Sequence, residues 1–470
     1  MNVEPSASKA EDLVHVFARH AVGARYESLP LQAIEAAKKS LLDTLGVTLA
    51  ASGVEPAVRA VIDLLCEQGG RPDCTVFGFG VRAPVMLAAF ANGALAHCLD
   101  FDDQTPWGQH CSSTIVAAAL AVAEYRGGVS GRELLTAVAV GQDLFARLRC
   151  NVGWKKDWNL STVLGVFAGT ASAGRIMGLT PEQMAHALGI ASMRSCGVME
   201  IVAGTGSDLR GMYAAFSASG AVVAALLASR GIGGAANLFE GTYGVFNTYF
   251  DGRYDRGRML EGLGTEYLGG ATLYKPWPCV GTAHSHIHAT ISLICEHDLA
   301  PEDVRELRLY AGDYHLLMST PIEARRAPAT LVDAKFSLPY LVAVAAVRRG
   351  MRVSDFTEAA IRDPQVLALA QRVLAVEDHS LDWKLELPPG RVQILTRDGR
   401  VLERVGKDIP GSASAPLTWT ELIRKFDDCA ACAYLPPSAA QRQRAVEIAR
   451  TLETLEDGTK LVRALATGSQ

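Results

Sequence analysis

Apolar residues recur at helical spacing over most of the chain, and the places where that period breaks divide it into parts. From Ala10 to about Gly53 the pattern predicts two amphipathic helices; Ser28 and Pro30 open the second, in which Ile34, Leu41, Leu42, Leu45 and Val47 recur at helical intervals. Pro56 to Gln68 continues as helix, Thr75 to Val81 reads as a short extended piece, and Pro84 to His97 as a helix rich in small residues. Further helices are expected over Gly131 to Arg149, over Ser161 to Leu179 with a Ser161/Thr162 cap, over Pro181 to about Met193, and over Ala214 to Arg230. Thr180, Pro181 and Gln183 supply the cap, first-turn proline and capping-box partner for the Pro181 helix.

The character changes between about Gly264 and Pro410. Arg305 to Ala311 and Arg391 to Thr396 alternate as half-buried strands do, and Asp398-Gly399 marks a hairpin into Val401 to Val405. Helical patterns interleave at Ala283 to Glu296, Ala334 to Arg349 and Asp363 to Val373. From Pro416 the chain is helical again, starting at a Thr418-x-x-Glu421 capping box and ending near Leu465. The expected fold is mainly α: a large all-α helical domain from residues 1–268 and 410–470, interrupted by a smaller α+β lid domain at 269–409. A cleft between two such units is where small-molecule sites tend to form.

Composition narrows the function classes. A chain of 470 residues exceeds the size at which single cores stop growing, and 49% hydrophobic with 20% charged residues describes a folded globular protein. A formal net charge of -5 gives no electrostatic footprint for nucleic acid or an anionic membrane surface. The N-terminus has no basic stretch followed by an apolar one, and the apolar segments Ile115 to Ala123 and Ala215 to Ala228 read as too short or too broken to span a bilayer. The expectation is a cytoplasmic protein with neither nucleic acid nor membrane as partner. Its ten cysteines, Cys66, Cys150 and Cys295 among them, read as reduced core residues.

Ionisable chemistry concentrates between Ala96 and Tyr125. Asp100, Asp102 and Asp103 surround one aromatic, a loop with Trp107 and His110 follows, and a helix is entered through Ser112 and Ser113. That serine pair can cap the helix, whose first N–H groups form a seat for a substrate carboxylate. His110 is the candidate general base or acid, with Asp100 to orient or tune it. Asp102 and Asp103 are expected to cap or stay solvated, and Gln104 and Trp107 to contribute selectivity.

The segments AHCLDFDDQ, HCSSTIVAAALAVAE, STVLGVFAGTASAGRIMGL, EQMAHALGIA, LFEGTYGVF, KPWPC, DAKFSLPY and KFDDCAA occur in this order. Together they resemble the MmgE/PrpD family, which includes 2-methylcitrate dehydratase, cis-aconitate decarboxylase and iminodisuccinate epimerase. The resemblance covers essentially the whole chain. It implies an all-α domain built from both chain ends with an α+β lid between them, working as a homodimer without a cofactor or metal. It also implies catalytic roles for Asp100, His110, Lys275 and Tyr314, with Lys275 fixed over the cleft by its stiff aromatic loop.

Four positions depart from the family pattern. Gln104 stands for a hydroxyl residue, Asn159 for a histidine, Leu209 for a lysine with Arg210 beside it, and Val280 for a lid histidine. Arg210 is a candidate replacement clamp, because guanidinium pairs with carboxylate bidentately. The changes imply a substrate with fewer carboxylates than methylcitrate or cis-aconitate, since each unpartnered desolvated carboxylate costs several kcal/mol.

The reactions of the family pass through a carbon acid next to a carboxylate, which requires a base, an acid and cations for the growing enediolate charge. The expected activity is a cofactor-independent lyase, of dehydratase or decarboxylase type, on a small carboxylic acid. The alternatives are an epimerase or isomerase using the same carbanion, and a binding member that has lost catalysis. Three other signals read as structural. His284, His286 and His288 lack a partner carboxylate or cysteine at metal-ligand spacing. Cys429 and Cys432 have no second CxxC. Gly204, Gly206 and Gly211 follow no strand and read as a bending loop near the cleft.

Overall fold

The computed structural model describes residues 11–467; Ala10, where the first helix was expected to begin, lies outside them. The apolar residues form two large cores. The first gathers Leu13 to Tyr267 together with Phe426 to Leu465, and the second lies between Cys279 and Ile394. The fold is mainly α with a smaller α+β part, as the periodicity predicts.

The first core is a packing of alanine-rich helices. Val85–His97, Ser112–Arg126, Gly165–Ile176 and Ala214–Ala228 contact one another, and Leu31–Val54 and Gly131–Cys150 flank them. Small side chains let these backbones approach closely: a Cβ at Gly93 would stand 3.0 Å from the Ala214 carbonyl oxygen. The Leu209–Ala228 run is long and apolar enough to cross a membrane, contrary to the reading of its length from sequence. Here 67% of its apolar window is buried among the other helices, which accounts for its composition. Near the C-terminus, Trp419–Ala431 packs back on Leu31–Val54, opened by the Thr418/Glu421 capping box.

Short breaks separate structure from expectation. The extended piece at Thr75 to Val81 is a hairpin of β1 (Cys74–Val76) and β2 (Val81–Ala83), turned at Gly78 and Gly80, both at positive φ. The helix expected from Ser161 divides into Leu160–Val163 and Gly165–Ile176, and its cap is Asn159, whose Oδ1 accepts from the Ser161 N–H. The helix expected over Ala334 to Arg349 divides into Leu331–Lys335 and Leu338–Arg348. Ser337 caps the latter, and Pro339 in its first turn stops the former from running through.

In the second core, β3 (Val304–Ala311) is central to a four-stranded sheet ordered β4-β3-β5-β6. β5 (Arg391–Thr396) and β6 (Val401–Val405) form the hairpin signalled by Asp398-Gly399, with Gly399 at φ 89°. β4 (Val373–Glu377), which begins where the sequence pattern placed the last residue of a helix, pairs parallel to β3 with Leu307 opposite Val373. Its five residues are too few for a period-2 pattern to outweigh the helical residues before them, and the pairing is decided by β3. His284–Glu296 and Leu338–Arg348 pack together beside this sheet.

Candidate active site

The Val85–His97 helix ends three residues before Asp100, which takes a left-handed conformation with φ 47°. Its N–H donates to the His97 carbonyl at 2.7 Å, which tightens the reversal. The turn carries Asp100, Asp102 and Asp103 inward; Asp102 and Asp103 are fully buried, so the expectation that they cap or stay solvated fails. Asp102 lies between two imidazoles, 2.9 Å from His97 Nδ1 and 3.2 Å from His110 Nδ1. Burial would raise its carboxyl, but the two imidazoles outweigh that and hold it well below the usual carboxylate range.

His110 sits on a loop propped from behind by Arg149, which donates to the Trp107 carbonyl at 3.1 Å and to Gln109 Oε1. Its Nδ1 is 2.9 Å from the Asp103 carbonyl, which can only accept. That bond places the neutral ring's proton on Nδ1 and leaves Nε2 with its lone pair, 3.3 Å from Asp100 Oδ1. Burial pulls His110 below its ordinary value, against the upward pull of Asp102 and Asp100. Burial thus favours the neutral form of the ring, and the two carboxylates its charged form. Asp100 is held at about 2: burial acts upward, and Lys275 and the imidazoles overcome it.

Asp100, His110, Asn159, Arg210 and Tyr314 line one pocket, together with Val280. Leu209 is half exposed and Arg210 buried, because neighbouring residues on a helix are turned by about 100° from each other. The Arg210 guanidinium stacks 3.6 Å from the Phe336 ring, and burial pushes it down to about 10. Among the described residues no carboxylate lies within ion-pair distance of it, and its Nε has no partner. The Asn159 Nδ2 is likewise buried without a partner. Burial raises the Tyr314 hydroxyl, while Arg210 beside it acts downward.

Four expected site residues stand elsewhere. Lys275 is buried and donates to the Asp100 carboxylate and carbonyl, so it supports a pocket-lining residue and is not itself among the pocket lining. Gln104 is packed against Gly281, where a Cβ would meet its Oε1 at 1.9 Å. Trp107 contributes its carbonyl to Arg149 and is not among the pocket-lining residues. Ser112 does not cap its helix, whose N-cap is Cys111; its Oγ accepts from Gln142 at 3.0 Å in a buried network with Ser40 and Asp103.

Residues missed by sequence reasoning complete the walls. His97 stacks on Tyr213 with ring centroids 4.2 Å apart, and its only signal was a histidine closing a run of alanines. Trp383 packs edge-on against Tyr314 and Trp154 at 4.8 and 5.3 Å. Gly108, at φ 91°, is required there, since a Cβ would stand 2.5 Å from Trp383. The HxHxH histidines do not converge: His284 is 3.3 Å from the Cys279 carbonyl and His286 2.9 Å from that of Tyr310. The ten cysteines are all free, but Cys66 and Cys295 are exposed and Cys150 is half-buried, so these three are not the core residues expected.

Among the described residues, His97, Asp102 and His110 are the group able to hold a metal ion, with one ligand atom each within 4.8 Å of the others. In this arrangement both Nδ1 atoms already face the Asp102 carboxylate. What the site offers as built is an imidazole, an ionised carboxylate and a buried guanidinium around one pocket.

Comparison with known proteins agrees with this layout. The MmgE/PrpD N-terminal domain matches residues 15–256 and the MmgE/PrpD C-terminal domain residues 277–452. The chain is 26% identical to a cis-aconitate decarboxylase of Aspergillus terreus over 85% of each chain. It is 24% identical to the cis-aconitate decarboxylase of Homo sapiens over 97% of this chain and 95% of the relative. With a 2-methylcitrate dehydratase of Cupriavidus necator the identity is 26%, over 82% of this chain and 83% of the relative.

Proposed function

Because this chain belongs to the MmgE/PrpD family of dehydratase- and decarboxylase-type lyases, we propose that it removes or delivers a proton at the carbon next to a carboxylate of a small carboxylic acid. One observation carries the reading: the His110 imidazole, fixed by Asp102 and the Asp103 carbonyl, opens on the same pocket as the Arg210 guanidinium, which has no carboxylate within ion-pair distance among the described residues. A buried cation without an anion is costly, so the pocket is completed by one.

Arg210 holds the substrate carboxylate and His110 Nε2 takes the α-proton, with Asp100 and Asp102 stabilising the imidazolium that results. Charge developing on the enediolate falls on Arg210, with Tyr314 and the Asn159 amide as further donors. Among the described residues Arg210 is the only lysine or arginine lining the pocket, which favours a substrate with a single carboxylate held by full charge. Proton transfer of this kind needs no cofactor, and the reading takes the enzyme to be a cytoplasmic homodimer.

The test is mass spectrometry of a library of small carboxylic acids incubated with the protein. Loss of water or carbon dioxide from one of them supports the lyase. Deuterium uptake from solvent without net loss would transfer the same site to an epimerase. Neither change in any acid, together with no thermal shift, would favour a scaffold that has lost catalysis.

A further inference from the structure

Three lysines converge on the turn that carries Asp100. Lys275 Nζ donates to the Asp100 carbonyl, Lys335 Nζ to the Cys98 carbonyl and Lys425 Nζ to the Phe101 carbonyl, each at 2.7 Å. They lie 175, 237 and 324 residues from those acceptors along the chain. All three are buried, and each has its own carboxylate: Asp100 for Lys275, Glu55 for Lys335 and Asp43 for Lys425.

The physical need is plain. A helix that stops at His97 leaves carbonyls without intrahelical partners, and the left-handed turn after it adds more. Buried carbonyls require donors, an ammonium carries three, and its charge suits the C-terminal end of a helix. A buried ion pair alone is weak evidence of a stabilising role. Here each ammonium is also spent on one turn, and the three come from different parts of the fold. Lys335 ends the Leu331–Lys335 helix beside the second core, and Lys425 lies on Trp419–Ala431 against the first, also packed 3.9 Å from the Phe101 ring.

We propose that Lys335 and Lys425 are positioning residues that hold the Cys98 and Phe101 carbonyls so that Asp100 stays against His110, and the site assembles only when both segments are docked. The positional claim stands on the hydrogen bonds; its consequence for rate rests on the proton-transfer reading above.

The test uses two charge-neutral pairs in the full-length protein, Lys335→Met with Glu55→Gln and Lys425→Met with Asp43→Asn. Each removes the carbonyl donor without leaving a buried carboxylate unpaired. Hydrogen exchange of residues 98–110 is expected to quicken at least tenfold in both, while amides of the Gly165–Ile176 helix hold their rates. In protein with 15N-labelled histidine, the ring signals of His110, assigned through His110→Gln, are expected to move, and those of His186 to stay. Lys425→Arg keeps both the donors and the charge, and the surface cavity beside Lys425 gives it room, so it is expected to restore both readouts.

Folded pairs with unchanged exchange and unchanged His110 signals would overturn the proposal. If a pair fails to fold, Lys425→Arg with Asp43 intact decides: altered His110 signals in that variant would overturn it. On any acid the library shows to be turned over, kcat is expected to fall at least tenfold with KM within threefold. Absence of turnover in the wild-type protein would remove the proton-transfer reading and leave the exchange and histidine results to judge the lysines.

Discussion

The Asp102 carboxylate and the His97 imidazole lie 2.9 Å apart, Oδ1 to Nδ1, and both are almost wholly shielded from water. Asp102 is thereby fixed from one side while its other oxygen faces His110 Nδ1 at 3.2 Å. Asp102→Asn can still donate or accept, but its amide cannot stabilise an imidazolium at His110 by charge. On an acid that the enzyme turns over, kcat is expected to fall by roughly 10–100-fold, the effect of losing a partner behind a reacting group. A change below threefold at saturating substrate would remove Asp102 from the mechanism.

His110→Gln should cost more. General acid–base catalysis contributes about 10²–10⁴-fold, and kcat is expected to drop in that range with KM little affected. Steady-state kinetics on the same acid separates the two, and a pure KM effect would make His110 a binding residue.

Arg210 gives a prediction of opposite sign for stability and function. Arg210→Gln removes a buried guanidinium with no ion-pair partner among the described residues, so the free protein should melt at an equal or higher temperature. The same change removes charged hydrogen bonds to a substrate carboxylate, worth about 1.5–3 kcal/mol each, and kcat/KM should fall by roughly 10–100-fold. Thermal shift with and without substrate reads both effects. Lower stability together with unchanged kcat/KM would contradict the assignment.

Stability against pH should follow two buried groups of opposite sense. Burial draws His286 down to about 3, so between 6.5 and about 3 the unfolded chain binds the extra proton and stability falls as pH falls. His286→Gln should make urea unfolding less acid-sensitive by about one proton, roughly 1.4 kcal/mol per pH unit between pH 6 and 4. Burial, aided by Asp43, pushes Asp103 up to about 7, so its contribution is full below 3.8 and lost as pH rises through 7. Asp103→Asn should therefore steepen the acid loss of stability over the window that His286→Gln flattens. Equal slopes in all three proteins would refute both assignments.

Much of this was legible in the chain. Local signals act over a few residues, so the capping boxes at Thr180 and Thr418 and the Asp398-Gly399 hairpin survive folding unchanged. The ordered segments pointed to the family, and the spacing of Asp100 and His110 singled out two residues that the fold brings to one pocket. Local patterns also failed locally: the strand Val373–Glu377 and the break at Ser337 are decided by partners and packing that no short window contains.

The sequence by itself determined which chemistry-bearing residues exist and which short stretches present them. Only the tertiary structure decided how they are used. Lys275 is a cation over the cleft in the sequence and an anchor for Asp100 in the fold. One residue of helical rotation turned Arg210 in and Leu209 out. His97, Trp383, Lys335 and Lys425 entered the site, or its support, across 5, 69, 237 and 324 residues of separation for the bonded or stacked pairs that place them. The physical reason is that burial and pairing of polar groups are set by what packs around them, and all but the first of those neighbours are distant in the chain.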